Sequence, residues 1–256
     1  MGRPNRIQFG GAIYHVTSRG NRRARTYADD RDRAIWLGML SETAARFNLS
    51  VYALCLMPNH FHMLVETPDS NLSAAMHHLN SRYARKFNWR HSLTGHLFQG
   101  RYHSGVVEEQ AQLLELIRYI ILNPVRAQLA RIADEWPWST HRQVCQIEQC
   151  PQWLKTDWIL SHFSGATVAE QIKAYRAFVD AAPVAAKKPR RVSRRLSKPA
   201  LVSESVPTLA QLECIHPDRD SAVRAAWTSG LYTRDQISRH FAISTKTVSR
   251  ITAERR

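Results

Sequence analysis

The stretch from Val51 to Glu66 constrains the fold more than any other part of the chain. Val51 to Met57 is almost wholly apolar, as a central strand buried on both faces would be, and Pro58-Asn59 turns directly into a second run, His60-Phe61-His62-Met63-Leu64-Val65-Glu66. If that run is a strand, His60, His62, Leu64 and Glu66 point one way and Phe61, Met63 and Val65 the other. The two imidazoles then share a face and lie close enough to hold one divalent ion, with Phe61 anchored in the core behind them. Two satisfied polar residues in a strand look the same, so the pair needs a chemical partner elsewhere.

The flanking segments supply the rest of a sheet. Residues 12 to 18 are rich in β-branched and aromatic types and read as a first strand. Asp29 to Phe47 carries Ile35, Trp36, Met39, Leu40 and Phe47 at helical spacing, with Asp29, Asp30 and Asp32 near the start, where a helix dipole favours negative charge. From Leu72 to Phe87 the apolar stripe is Leu72, Met76, Leu79, Tyr83 and Phe87, while His78, Arg82, Arg85 and Lys86 lie off it. Residues 97 to 107 read as a turn into a last short strand. Strand, helix, two adjacent strands, helix and strand is the order of a ferredoxin-like α+β fold, an antiparallel sheet with helices on one face.

Charge narrows the partners. Among 256 residues, 36 Lys plus Arg against 21 Asp plus Glu leave a net +15, which favours a polyanion, most commonly nucleic acid. Arg3, Arg6, Arg19, Arg22, Arg23 and Arg25 gather near the entrance to the sheet, suited to phosphate or base-edge contacts; a solvated loop is the plainer alternative. No apolar run of about 18 residues exists to span a bilayer and no signal-peptide core opens the chain. The four cysteines are too sparse for a disulfide framework, so a cytoplasmic, nucleoid-associated location is expected.

Glu109 to Leu122 is the next predicted helix. At about 100° per residue, Leu113, Leu114, Ile117, Ile120 and Ile121 cluster on one side, while Tyr119 falls on the other with Gln112, Glu115 and Asn123. Periodicity therefore sets Tyr119 apart from the core stripe, although a tyrosine among leucines and isoleucines ordinarily packs. Asn123 points the same way and offers an amide oxygen as a third metal ligand; equally, it can simply end the helix before Pro124.

Three stretches, LMPNHFHMLVETP (56–68), GHLFQGRYHS (95–104) and LIRYIILNPVRAQL (116–129), together resemble the signatures of the HUH tyrosine transposases, specifically the REP-associated tyrosine transposases. The resemblance covers roughly residues 1 to 140. It implies His60 and His62 as metal ligands, Asn123 as a third, Tyr119 as the nucleophile, and a ferredoxin-like catalytic domain. The implied activity is single-stranded DNA cleavage and strand transfer through a 5′-phosphotyrosine link, with Mg²⁺ or Mn²⁺ as cofactor and hairpins of repetitive extragenic palindromes as substrate. Arg82, Arg85, Lys86 and, in the second stretch, Arg101 join the arginines above as candidate DNA contacts. Tyr102 is a competing nucleophile whose expected role is packing or base stacking.

Beyond Trp136-Pro137-Trp138-Ser139 the resemblance fades. We expect a catalytic domain over 1–140, a helical extension over 141–182, a basic linker over 183–206 and a small helical domain over 207–256. In the last, Thr233 to Gln236 opens a helix with a capping-box pattern, and Ser244 to Ala253 forms the next. Thr245, Lys246, Thr247, Ser249 and Arg250 on that second helix suit a major groove, as in a helix-turn-helix; a three-helix protein-binding module is the alternative. Two further readings compete with the enzyme: a non-catalytic DNA-binding regulator, and a nuclease that uses activated water. The oligomeric state, monomer or dimer, is left open.

Overall fold

A computed structural model describes residues 8–107, 110–181, 209–228, 232 and 234–252. The chain divides into two compact units, one built on a β-sheet and one holding the C-terminal helices. The sheet unit runs β1 (Ala12–Arg19), α1 (Asp30–Arg46), β2 (Ser50–Met57), β3 (His60–Thr67), α2 (Leu72–Arg90) and β4 (His103–Val106). The strands form one antiparallel sheet in the order β2-β3-β1-β4, the ferredoxin-like arrangement that the element order implies.

Helices α1 and α2 cover one face. The Trp36 ring of α1 lies 4.8 Å from that of Phe61 on β3, and the Tyr83 hydroxyl of α2 donates to the Thr26 carbonyl at 2.6 Å. Acidic residues at the start of α1 do more than meet a dipole. Asp29 caps the helix by accepting the Asp32 N–H at 3.0 Å, and the buried Asp32 receives Arg90 and His91 from the end of α2. The Arg90 guanidinium beside Asp29 holds its carboxyl well below the usual carboxylate range.

Helices on one face were expected, but the other face is covered as well. Helix α3 (Gln110–Ile121) packs there against Ala53, Cys55 and Leu64, followed by the short α4 (Asn123–Arg126). Beyond it, α5 (His141–Val144), α6 (Thr156–Leu160) and α7 (Val168–Asp180) bury Val144, Ile159, Leu160, Tyr175 and Val179 in the same core as α3. Arg118 of α3 binds the Phe178 carbonyl at 3.2 Å and lies 4.4 Å over its ring, so α3 is held between the sheet and α7.

The segments around α5 also close the outer edge of β2. Leu56 N–H donates to the Trp138 carbonyl and Thr140 N–H to the Leu54 carbonyl; Val51 N–H and carbonyl pair with Trp153 and Lys155. Groups that an edge strand leaves unpaired are thereby satisfied.

The C-terminal unit comprises α8 (Leu209–Ile215), α9 (Arg219–Thr228), α10 (Arg234–His240) and α11 (Thr245–Thr252) around Leu212, Val223, Ala226, Ile237, Phe241, Val248 and Ile251. Between α10 and α11 the chain turns through Ala242 at a positive φ of 49°, and Ser244 caps α11 by accepting the Thr247 N–H at 3.0 Å. Thr233, the expected start of a capping box, lies outside the described residues, as do the segment 183–206 and Ala253. No helix among the described residues is long and apolar enough to cross a membrane.

Two outcomes follow from this packing. Trp36→Ala should cost about 3–5 kcal/mol in urea unfolding, because a fully buried indole leaves a cavity between α1 and the sheet. Burial raises the phenols of Tyr27, Tyr83 and Tyr175 above their ordinary value, so the folded state keeps protons that the unfolded chain releases near pH 10. Stability should therefore fall as pH rises above about 10, and tyrosinate absorbance should appear together with loss of circular dichroism rather than before it.

Candidate active site

On β3, Phe61, Met63 and Val65 are fully buried toward α1 and α2, and His60 and His62 occupy the opposite face with ring centroids 5.0 Å apart. The register with β1 decides what surrounds them. Thr17 lies opposite His62 and Arg19 opposite His60, so Ile13, His15, Thr17 and Arg19 share the histidine face.

Each ring is held through Nδ1. Asn59 Oδ1 sits 2.7 Å from His60 Nδ1, and an amide oxygen can only accept, which puts hydrogen on Nδ1 and the lone pair on Nε2. His15 Nε2 lies 3.0 Å from His62 Nδ1, with the two rings stacked. Where His62 is the donor, its Nε2 also carries the lone pair. Two imidazoles oriented this way by outer partners form a donor set that fits a divalent cation.

Tyr119 meets this cluster from α3. Its ring lies edge-on to His62 at 5.8 Å and to His15 at 6.2 Å. The phase of the helix thus has the right direction, but Tyr119 is only 7% exposed and belongs to the core around α3. Gln112 and Glu115, which share its helical phase, are exposed as periodicity suggests, but Tyr119 itself is buried because His62, His15 and Arg126 close around its ring. Over the ring sits the Arg126 guanidinium, 3.9 Å from its centroid and donating to the Tyr119 carbonyl at 2.9 Å. Burial raises the Tyr119 phenol above its usual value and Arg126 opposes that rise; burial in turn lowers Arg126.

Asn123 ends the helix. Its Nδ2 donates to the carbonyls of Tyr119 at 2.9 Å and Ile120 at 3.3 Å, the helix-end role that was one of its two readings. With the amide nitrogen so committed, Oδ1 is the atom it can offer a ligand. Tyr102 is buried and its hydroxyl lies 3.0 Å from that of Ser73 on α2, which makes it a packing residue.

The candidate DNA contacts separate. Arg19, Arg22, Arg23, Arg25 and Arg101 are exposed; Gln99 N–H to the Arg19 carbonyl and Asn21 N–H to the Leu97 carbonyl lay the two arginine segments side by side. Asn59 links this loop to the site by donating to the Arg23 carbonyl at 2.9 Å. Arg82, Arg85 and Lys86 belong to α2, on the opposite face of the sheet, where Arg82 pairs with Glu42 at 2.7 Å and Lys86 lies 4.3 Å from the Trp89 ring centroid. Arg3 and Arg6 lie outside the described residues. On α11, Thr245, Lys246 and Arg250 are exposed and Thr247 and Ser249 partly so, with the Ser249 hydroxyl bonded back to the Thr245 carbonyl.

Three site residues were not singled out from sequence: His15, Asn59 and Arg126. The signal for His15 was present, since Ile13, His15 and Thr17 alternate along β1 as the histidines do along β3. Asn59 reads as a turn residue and Arg126 as one more cation, and only tertiary contacts assign them more.

A ferredoxin-like sheet with His-x-His on a central strand and a tyrosine helix laid against it is the arrangement that the sequence resemblance implies. Residues 9–123 match the family described as "Transposase IS200 like". The chain is similar to a REP-associated tyrosine transposase of Haemophilus influenzae, 21% identical over 159 residues, which span 58% of this chain and 88% of that protein. Among solved structures it is similar to a REP-associated tyrosine transposase bound to a REP hairpin (20% identity, TM-score 0.49, 60% of this chain and 91% of that one). It is also similar to a transposase of Deinococcus radiodurans (22% identity, TM-score 0.33, 46% and 95%).

The contact between Tyr119 and Arg126 carries its own expected outcome. Arg126→Met, which keeps an aliphatic stem over the ring but removes the charge, should move the Tyr119 phenol to a still higher titration point in NMR spectra of ¹³Cζ-labelled tyrosine.

Proposed function

We propose that the sheet unit is a divalent-metal-dependent endonuclease and strand transferase for single-stranded DNA, with Tyr119 as its nucleophile. The observation that carries this reading is the Tyr119 ring packed against His62 and His15 on the histidine face. The match of residues 9–123 to that transposase family supports a DNA-cleaving and rejoining enzyme.

In this mechanism the Tyr119 oxygen loses its proton and attacks the scissile phosphorus. The bond from phosphorus to the 3′ oxygen breaks, that oxygen takes up a proton and leaves, and the 5′ phosphate stays bonded to Tyr119. Rejoining is the reverse attack by a 3′-OH, so the bond energy is conserved without a nucleotide cofactor. Arg126 favours the phenolate and offers a cation to the phosphate oxygens. His60 and His62, with Asn123 Oδ1 as third donor, would hold Mg²⁺ or Mn²⁺, which neutralises charge on the phosphate when bound. Asn59 and His15 keep the two ligand rings in orientation.

Hairpin DNA of repetitive palindromes is the substrate we infer, from the similarity to the Haemophilus protein and from the three sequence stretches. Arg19, Arg22, Arg23 and Arg101, joined by Arg3 and Arg6, would guide the single strand. Helix α11 would present Thr245, Lys246, Thr247, Ser249 and Arg250 to duplex DNA as a helix-turn-helix does.

Incubation with labelled hairpin-flanked single-stranded DNA and Mn²⁺ should give a denaturation-resistant protein–DNA adduct, and Tyr119→Phe should abolish both adduct and cleavage. Cleavage that survives this change would instead point to activated water, and binding without cleavage to a regulator. His15→Ala should weaken Mn²⁺ binding in calorimetry about ten- to a hundredfold, because the His62 ring loses its outer partner.

A further inference from the structure

A second cluster of ligand-type side chains lies apart from the histidine pair. Asp134, in the turn before Trp136, His141 on α5 and Cys145 just after α5 bring one oxygen, one nitrogen and one sulfur together, all within 4.8 Å of one another. His141 Nε2 lies 3.1 Å from Asp134 Oδ1 and 3.8 Å from Cys145 Sγ. A tetrahedral zinc ion with bonds of about 2.0–2.3 Å sets its ligand atoms about 3.3–3.8 Å apart. The side chains already stand close to that spacing.

The outer contacts orient the same three atoms. The Tyr175 hydroxyl sits 3.1 Å from His141 Nδ1; with Nδ1–H directed to it, the Nε2 lone pair faces Asp134 and Cys145. Arg176 holds the other carboxylate oxygen of Asp134, Oδ2, at 2.8 Å. Asp134 Oδ1 is buried and has no hydrogen-bond partner, even though an imidazole nitrogen is 3.1 Å away. In the tautomer with hydrogen on Nδ1, a buried carboxylate oxygen faces the Nε2 lone pair, an arrangement that a cation between them and the Cys145 sulfur would satisfy.

We propose that Asp134, His141 and Cys145 bind one zinc ion, which fastens the turn after α4 to α5 beneath α7. The sulfur and nitrogen donors select a softer metal than the Mg²⁺ or Mn²⁺ suited to phosphate chemistry, so the two sites take different ions. Binding displaces the Cys145 thiol proton to solvent and leaves the fourth position to a water. His141 is 3% and Cys145 7% exposed, while the Asp134 side chain is 31% exposed, so the water position opens on the Asp134 side.

Cobalt(II) titration of the full chain carrying His60→Ala and His62→Ala tests this without interference from the other site. One equivalent should bind and give a thiolate-to-cobalt charge-transfer band in the near ultraviolet, displaced by zinc. Cys145→Ser should abolish the band, and Asp134→Asn, which leaves the thiolate in place, should keep it while weakening affinity at least tenfold. In that background zinc should raise Tm and slow the reaction of Cys145 with a thiol reagent; Cys145→Ser should remove the rise in Tm, and Asp134→Asn should move both effects to at least tenfold higher zinc. No band, or a band that survives Cys145→Ser, would overturn the proposal; so would thiol reactivity indifferent to zinc. Because neither readout involves DNA, failure here leaves the transposase reading untouched, and failure of cleavage leaves this one untouched.

Discussion

The antiparallel register between β1 and β3 is the constraint on which the rest of the site depends. Pairing Thr17 with His62 and Arg19 with His60 puts His15 beside the histidine pair, and the same pairing sends Tyr14, Val16, Phe61 and Met63 into the core on the other side. A slip of one residue would exchange the two sets, placing imidazoles against Trp36 and aromatic rings under α3. Because every residue of β3 has a demanding environment on its own side, core and site fix the register jointly.

The second dependence is on α3. Pressed between the sheet and α7, it buries Leu113, Leu116, Ile117, Ile120 and Ile121 while Gln112 and Glu115 stay exposed, and its tyrosine is desolvated at the end of the helix, against His62 and His15. Arg126, one turn past the helix end, is drawn into the same enclosure and meets the ring face and the Tyr119 carbonyl. The segments after Trp136 bear on this helix through α7: Arg118 binds the Phe178 carbonyl, and Tyr175 and Val179 share the core of α3.

Much of this was legible in the sequence, for reasons that can be named. Alternation in His60–Glu66 marked one strand and its faces, and the unbroken apolar run Val51–Met57 marked the other; that run suits a central strand, whereas β2 lies at the edge of the sheet and is covered there by residues 138–140 and 153–155. The stripe on α2 was equally plain, and Val248 and Ile251 turned inward on α11 as spaced. What was not legible lies in contacts between distant segments. Periodicity placed Tyr119 with Gln112 and Glu115, which are exposed, but at the end of the helix the histidine face and Arg126 bury the ring, so Tyr119 is a buried residue that still faces the histidines. Residues 141–180 gave no role from composition, yet they back α3 and, with residues 138–140, pair with β2. The basic face of α2 looked like part of one cationic surface; the sheet stands between it and the histidines. For Asn123 the sequence left two readings, and the contacts of its amide nitrogen are those of a helix end.

The covering of β2 has a further meaning. A four-stranded sheet ordinarily leaves two rows of peptide groups on which another chain could template. Here the longer border is occupied by residues 138–140 and 153–155, and the remaining one belongs to β4, only four residues long. The sheet is finite by construction: there is little room for a foreign strand to be added, and an exposed arginine loop can serve a polyanion without a sticky β-border beside it.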